Sequence, residues 1–166
     1  MSTLNVDTIQ DKAAAFEHAR LVQVVNTTNV AMTTGTTAIP HDNTIPQITE
    51  GDEILSRTIT PTNASNILLF EVIVQWATAG NVAMCCALFK DSDAGAICAS
   101  GQYGSNREQS SMRLQHFTTG SLGTSEIEFT VRFGATSGTT TINGDNGART
   151  YGGVCTTGIT IAEIRV

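Results

Sequence analysis

The sequence predicts an all-β protein: an antiparallel jelly-roll-like β-sandwich with a short N-terminal arm or helix. The first observation is composition: 26 of the 166 residues are threonine, 15 are glycine and only 14% are charged. A β-branched, glycine-containing and charge-poor chain is typical of β-sandwiches and barrels. The second is a period-two alternation of apolar and polar residues, and the third is the spacing of turn residues between these segments. The length suits one domain, which we place at residues 21–166 behind an arm at 1–20.

The arm differs from everything after it. Residues 11–20 have good helix propensity, with an acidic residue early and basic residues late, as the helix dipole prefers. A helix this short is marginal on its own, so it must dock either on the sandwich or on a partner, and both alternatives stay open. The candidate anchoring residues are the apolar side chains of this arm: Leu4, Val6, Ile9, Ala13 and Phe16.

Period-two segments follow in order along the rest of the chain. The strongest is 67–76, which is apolar on one face and partly apolar on the other, whereas Pro40 and Pro46 confine their region to loops and sheet edges. Residues 126–133 alternate strictly, so we expect one buried and one solvated side. The predicted strands are 21–25, 53–60, 67–76, 82–90, 112–117, 126–133, 139–143 and 158–166.

The N-terminus lacks a secretory signal, and the longest apolar run, 67–74, is too short to cross a bilayer. We therefore expect a soluble chain made in a cytoplasm, with no membrane partner and with free, buried thiols. Cys85 and Cys86 are adjacent in a strand and should point to opposite faces. A disulfide between Cys98 and Cys155, formed late and outside the cell, stays open.

The sequence contains few residues placed for nucleic-acid binding, metal binding or catalysis. A formal net charge of −6 argues against nucleic acid as a partner. His18, His41 and His116 have no second ligand at metal spacing, so we expect no zinc or other metal site and no cofactor. Glu126 and Glu128 lie on a strand face that we expect to be solvated, beside Thr130 and Arg132, and a nucleophile elbow is absent.

Two polar segments, 91–93 and 143–147, contain oxygen ligands but are predicted to be turns. Asn, Asp and Gly tolerate left-handed backbone conformations, and the second segment has Val154 where a calcium loop needs a bidentate glutamate. The sequence therefore predicts that the protein is not an enzyme.

The strand segments taken together resemble a family of small virion proteins of tailed bacteriophages, common among marine and cyanobacterial phages. In that family a short N-terminal segment precedes a jelly-roll-like domain. Lys90 departs from the arginine that is commoner in the family. The run 13–16 replaces a glycine-rich spacer, which favours a docked helical arm over a flexible stalk. The matching segments are 2–10, 21–25, 59–69, 87–91, 141–143 and 157–164.

The resemblance implies a homotrimer, because such domains are similar to the trimeric jelly-rolls of tumour-necrosis-factor-like proteins. The residues fit this expectation. Leu69 and Ile73 lie opposite Val72 and Val74 on one strand, which is more apolar surface than a single sandwich interior needs. The excess is expected to be buried between subunits.

Two functions follow from this resemblance. The first is a capsid decoration or cement protein of the virion, made in the host cytoplasm and bound through residues 1–20 to the major capsid protein or to a tail or vertex protein. The second is a receptor-binding tip, or a short tail or head fibre, whose loops contact a host surface glycan. A third class, a polysaccharide-cleaving enzyme, lacks the paired carboxylates. The candidate receptor-loop residues are Gln102, Tyr103, Asn106, Arg107, Arg149 and Tyr151.

Overall fold

The computed structural model describes residues 20–118 and 121–165. The predicted helix and all five candidate anchoring residues lie outside these ranges, whereas Arg20 begins the first strand, one residue before the predicted domain boundary. The elements are β1 (Arg20–Asn29), β2 (Thr33–Gly35), β3 (Asp52–Ile59), β4 (Ile67–Thr78), β5 (Val82–Lys90), β6 (Cys98–Gly104), β7 (Gln109–Phe117), β8 (Ile127–Ala135), β9 (Thr140–Ile142), β10 (Gly144–Asp145), β11 (Ala148–Arg149), a 3-10 turn (Tyr151–Gly153) and β12 (Thr157–Arg165).

The strands form two antiparallel sheets and a small hairpin. The six-stranded sheet has the order β1-β12-β4-β9-β2, with β7 also paired to β4, and the four-stranded sheet has the order β3-β8-β5-β6. Strands β12 and β9 pair with successive parts of β4, and β7 pairs with its opposite side. The hairpin joins β10 to β11. This arrangement confirms the predicted all-β, jelly-roll-like sandwich.

The core lies between the two sheets and follows the predicted alternation. Along β4, Phe70, Val72, Val74 and Trp76 are buried on the inner side, because successive strand residues point to opposite faces of a sheet. The Phe70 ring lies 4.6 Å, centroid to centroid, from that of Phe129 on the opposite sheet. Aromatic pairs at this separation add to the stabilisation that burial of apolar area supplies.

Strand β6 was not predicted, and it corrects the assignment of two candidate loop residues. Gln102 and Tyr103 lie on this strand, paired with Met84 and Ala83 of β5, and not in a loop. The segment has small residues and little alternation, so its local β-propensity is weak. Its strand conformation comes from pairing with β5, which is a tertiary effect.

The expectation of a solvated side along 126–133 is wrong for the second half of the strand. Thr130 is 6% exposed. Arg132 is half-buried and donates hydrogen bonds to the carbonyl oxygens of Glu50, at 2.9 Å, and Gly51, at 2.8 Å. The loop before β3 crosses this side of β8 and covers it, so only the first half of the strand, with Glu128, is solvated on that side.

Glu163 on β12 is fully buried and accepts hydrogen bonds from three residues of two other segments. Its Oε1 accepts from the Thr62 N–H at 2.8 Å, the Thr62 hydroxyl at 2.9 Å and the Asn66 amide at 2.6 Å. Its Oε2 accepts from the Gln23 amide at 2.6 Å. Burial on its own raises the pKa of Glu163, but the hydrogen bonds from Asn66, Gln23 and Thr62 outweigh it and lower the pKa to about 2. The carboxylate therefore joins β1, β12 and the β3–β4 loop.

The four cysteines are free thiols. Cys86 is buried and Cys85 is half-buried, which confirms that they point to opposite faces of β5. Cys98 lies on β6 in the four-stranded sheet, whereas Cys155 lies in the loop before β12. Burial raises the pKa of Cys98 to about 11, and burial together with the Glu50 carboxylate raises the pKa of Cys85 to about 11.

Candidate functional site

The two candidate receptor loops meet at one end of the sandwich. The Arg107 N–H donates to the carbonyl oxygen of Thr78 at 2.9 Å, and the Arg107 guanidinium lies 3.7 Å from the Asp145 carboxylate. The Gln109 amide donates to the Thr150 hydroxyl at 2.9 Å. The contacts of Arg107 with Asp145 and of Gln109 with Thr150 join segments that are about 40 residues apart in the chain, so this end is one continuous surface.

Gln102, Tyr103 and Asn106, like Arg107, use polar groups for contacts within the protein. The Gln102 amide donates to the Ser110 hydroxyl at 3.1 Å. The Tyr103 hydroxyl donates to the carbonyl oxygen of Asn81 at 3.1 Å, and the Asn106 N–H donates to the Asn81 side-chain oxygen at 2.9 Å. These contacts hold the β6–β7 turn against the β4–β5 turn.

Tyr151 is held outward by an unusual turn. Its φ is +47° and the φ values of Gly152 and Gly153 are +65° and +82°, so three successive residues have left-handed backbone. Glycine adopts this conformation freely, whereas tyrosine does so at a cost. The Arg149 side chain lies across Gly153 in the space that a Cβ would occupy. Tyr151 itself is 75% exposed.

A cleft of about 270 Å³ lies beneath this turn. Gln75 of β4 and Ser111 of β7 are cross-strand partners in its wall, and both face away from the core because Trp76 and Met112 beside them are buried. Sequence reasoning found only Tyr151 of this lining. The other sequence signal for this cleft is that the polar residues of β4 and β7 alternate with apolar ones, which places their side chains on the outer side of the sheet. The lining residues are Gln75, Trp76, Gln109, Ser110, Ser111, Gly144, Tyr151 and Cys155.

The outer face of the six-stranded sheet carries a second feature, an apolar end. Val24, Ala162, Leu69 and Phe117 pair in succession and form one row across β1, β12, β4 and β7. Val24 is 50% and Phe117 47% exposed. A second row beside it contains Leu21, Ile164 and Ile67. We call these two rows the apolar rows. Beyond them the face is mostly polar, although Ile73 of β4 is 37% exposed there.

The described part of the chain also bears on metal binding and on membrane spans. Residues 20–118 and 121–165 contain no group of three or more His, Cys, Asp or Glu side chains placed to hold a metal ion. Within the predicted turn 143–147, Asn146 and Gly147 have left-handed φ values and form the turn between β10 and β11, as predicted. Gly144 and Asp145, in contrast, form strand β10. No helix within the same residues has the length and apolar character needed to span a membrane.

Comparison with known proteins gives similarity in structure only. No protein-family model matches the chain, and no curated protein matches it. Latent PorU from Porphyromonas gingivalis is similar with a TM-score of 0.45 and 12% identity, over 92% of this chain and 14% of PorU. The C-terminal domain of EclA, a sugar-binding protein, has a TM-score of 0.34 and 16% identity, over 86% of this chain and 94% of that domain. A structure of infectious bursal disease virus, Gx strain, has a TM-score of 0.43 and 11% identity, over 100% of this chain and 41% of the viral chain. These similarities concern the sandwich fold and not the function.

Proposed function

We propose that the chain is a virion structural protein, a capsid decoration protein that forms a homotrimer and binds the assembled shell through residues 1–20. The observation that supports this proposal is the pair of apolar rows on the outer face of the six-stranded sheet. A second copy of the chain is the partner that we assign to this face.

The exposure of these side chains favours self-association. Leu21 is 65% exposed, and it adjoins the row that contains Val24 and Phe117. Fully burying a side chain of this size stabilises a protein by about 1.5–3 kcal/mol relative to leaving it exposed. Contiguous exposed apolar surface commonly marks an interaction site. Closed rotational symmetry would bury this surface in every subunit.

The arm joins the sandwich beside the same rows, because β1 begins at Arg20 and Leu21 is the first apolar outward residue. In the proposed assembly the arms of three subunits would start close together and bind neighbouring copies of the major capsid protein. A ligand that binds only the assembled shell stabilises it by mass action. This linkage is the proposed mechanism of decoration.

The oligomeric state tests the self-association. We expect light scattering after gel filtration to give three times the 17.5 kDa chain mass. The double variant Val24→Ser, Phe117→Ser should give a folded monomer. Val154→Ser is the matched control, since Val154 is 74% exposed but lies in the loop before β12. A monomeric parent protein, or a trimer that the double variant leaves intact, would refute the proposal.

Copy number in purified virions tests the decoration role. A ratio to the major capsid protein that corresponds to one trimer per threefold position supports decoration, whereas about a dozen copies per particle would assign the protein to the tail or a vertex fibre. Deletion of residues 1–20 should leave a folded trimer that no longer joins particles. Normal incorporation of the truncated protein would show that the sandwich, and not the arm, binds the shell.

A further inference from the structure

We propose that the cleft beside Tyr151 binds one sugar ring of a neutral carbohydrate. The proposal goes beyond the decoration role and does not depend on it, because the cleft lies away from the apolar rows. Its volume of about 270 Å³ is close to the lower end of the range for small-molecule sites, about 300–1,000 Å³. Of the six loop residues considered from the sequence, only Tyr151 lines it.

The chemistry of the lining selects for a neutral polyol. Gln75, Gln109 and Ser111 belong to the outward register of β4 and β7, and their amide and hydroxyl groups both donate and accept hydrogen bonds. Because the Gln109 Nε2 donates to Thr150, its Oε1 is left to accept from a ligand. All lining residues are uncharged, whereas sites for phosphate or carboxylate commonly use Arg or Lys. Sugar hydroxyls fit such a lining.

Tyr151 supplies a flat surface at the mouth of the cleft. Its ring is 75% exposed although its backbone has a φ of +47°, a conformation that tyrosine adopts only at a cost. Residues held in sparsely populated backbone regions cluster at ligand-binding sites. A tyrosine ring also provides a large amphipathic contact area with few rotatable bonds, which suits the apolar C–H face of a sugar ring.

The turn that carries Tyr151 is fixed before any ligand binds. The Gly153 N–H donates to the carbonyl oxygen of Thr150 at 2.8 Å. The Thr150 hydroxyl accepts from Gln109 at 2.9 Å and lies 3.6 Å from the Cys155 sulfur. Binding to a preorganised site avoids the entropy cost of ordering a loop.

Binding at this cleft is measured by ligand-observed saturation-transfer NMR, which detects weak binding without a reporter group in the protein. Trp76, the single tryptophan of the chain, is not a suitable fluorescent reporter, because its side chain is buried on the inner side of β4, whereas Gln75 and Ser111 face outward. The probes are the methyl glycosides of glucose, galactose, mannose and N-acetylglucosamine, and sorbitol controls for bulk effects of a polyol.

We expect at least one glycoside to give a saturable saturation-transfer signal, with a Kd on the order of 1 mM. Tyr151→Asn should weaken binding about tenfold or more, because asparagine tolerates the left-handed backbone but lacks the ring. Gln75→Ala should weaken it as well, without altering the turn. Tyr103→Asn is the matched control, since Tyr103 is 69% exposed but lies outside the lining, and it should bind as the parent does.

Three results would overturn the proposal: no saturable signal with any of the four glycosides, an equal response to sorbitol, or unchanged affinity in both Tyr151→Asn and Gln75→Ala. None of these results bears on trimer formation or on virion copy number, so failure here is distinguishable from failure of the decoration role.

Discussion

Replacement of Glu163 by glutamine is expected to lower the free energy of unfolding by about 2 kcal/mol at neutral pH. The carboxylate accepts all four of its hydrogen bonds, and no basic side chain in the described residues forms an ion pair with it. A glutamine can place its carbonyl oxygen where Oε1 lies, but its NH₂ group then faces the NH₂ of Gln23. Gln23 cannot turn its amide over, because its Nε2 also donates to the carbonyl oxygen of Thr60 at 2.8 Å.

The magnitude follows from the pKa of Glu163, which falls from 4.5 to about 2 on folding. At about 1.4 kcal/mol for each pKa unit, this difference corresponds to at most about 3.5 kcal/mol. Solvent screening lowers this value, because the hydrogen bonds from Gln23 and Thr62 to Glu163 are only partly buried, and about half is expected to be realised. Loss of a hydrogen bond to a charged group costs about 1.5–3 kcal/mol, so both routes lead to about 2 kcal/mol.

The pH dependence gives the decisive assay. A carboxylate whose pKa is lower in the folded than in the unfolded state stabilises the protein fully above the unfolded pKa of 4.5. This stabilisation is lost as the pH falls towards about 2, and more than half is gone at about pH 3. Urea unfolding of the parent and of Glu163→Gln should therefore differ by about 2 kcal/mol at about pH 7 and by much less at about pH 3.

The matched control is Glu126→Gln, since Glu126 is exposed just before β8, and it should change stability little at either pH. Parent and variants are compared at one protein concentration, so that self-association affects all of them alike. An equal difference between the parent and Glu163→Gln at both pH values, or a variant as stable as the parent at neutral pH, would refute the reasoning.

Two further predictions concern packing and thiols. Gly104→Ala should lose about 1–3 kcal/mol of stability through overpacking, because its Cβ would lie 2.7 Å from the Trp76 ring. Gly80→Ala is the control in chemical unfolding, because its Cβ would meet Val82 at an ordinary contact distance of 3.9 Å, and equal unfolding midpoints for the two variants would contradict this prediction. Burial raises the pKa of Cys98 to about 11, so little reactive thiolate is present at about pH 8, and Cys86 is fully buried. Iodoacetamide at about pH 8 should therefore alkylate both thiols far more slowly in the folded than in the urea-unfolded protein. Peptide mass spectrometry gives the extents, and rapid labelling of Cys86 in the folded state would show that the β5 strand opens.

The inward position of Glu163 could be predicted from the alternation of apolar and polar residues, whereas its hydrogen-bond partners could not. Ile159 and Ile161 alternate with polar residues, so the inward register of Glu163 two positions later was visible in the sequence. Its hydrogen-bond donors were not, because they are 97–140 residues away in the chain. The meeting of Arg107 with Asp145 is likewise a consequence of which strands become neighbours.

The sequence by itself determined the fold class and the principal strands, because the alternation of apolar and polar side chains within one strand is a local property that separates a buried from a solvated face. Segment 67–76 shows this most clearly, since its inner face forms the core as predicted. Only the tertiary structure decided the rest. Strand β6 has weak local propensity and exists through its pairing with β5, and the cleft beside Tyr151 combines side chains from β4, β7 and the loop before β12. Pairings and clefts of this kind arise from non-local contacts, which no local pattern encodes.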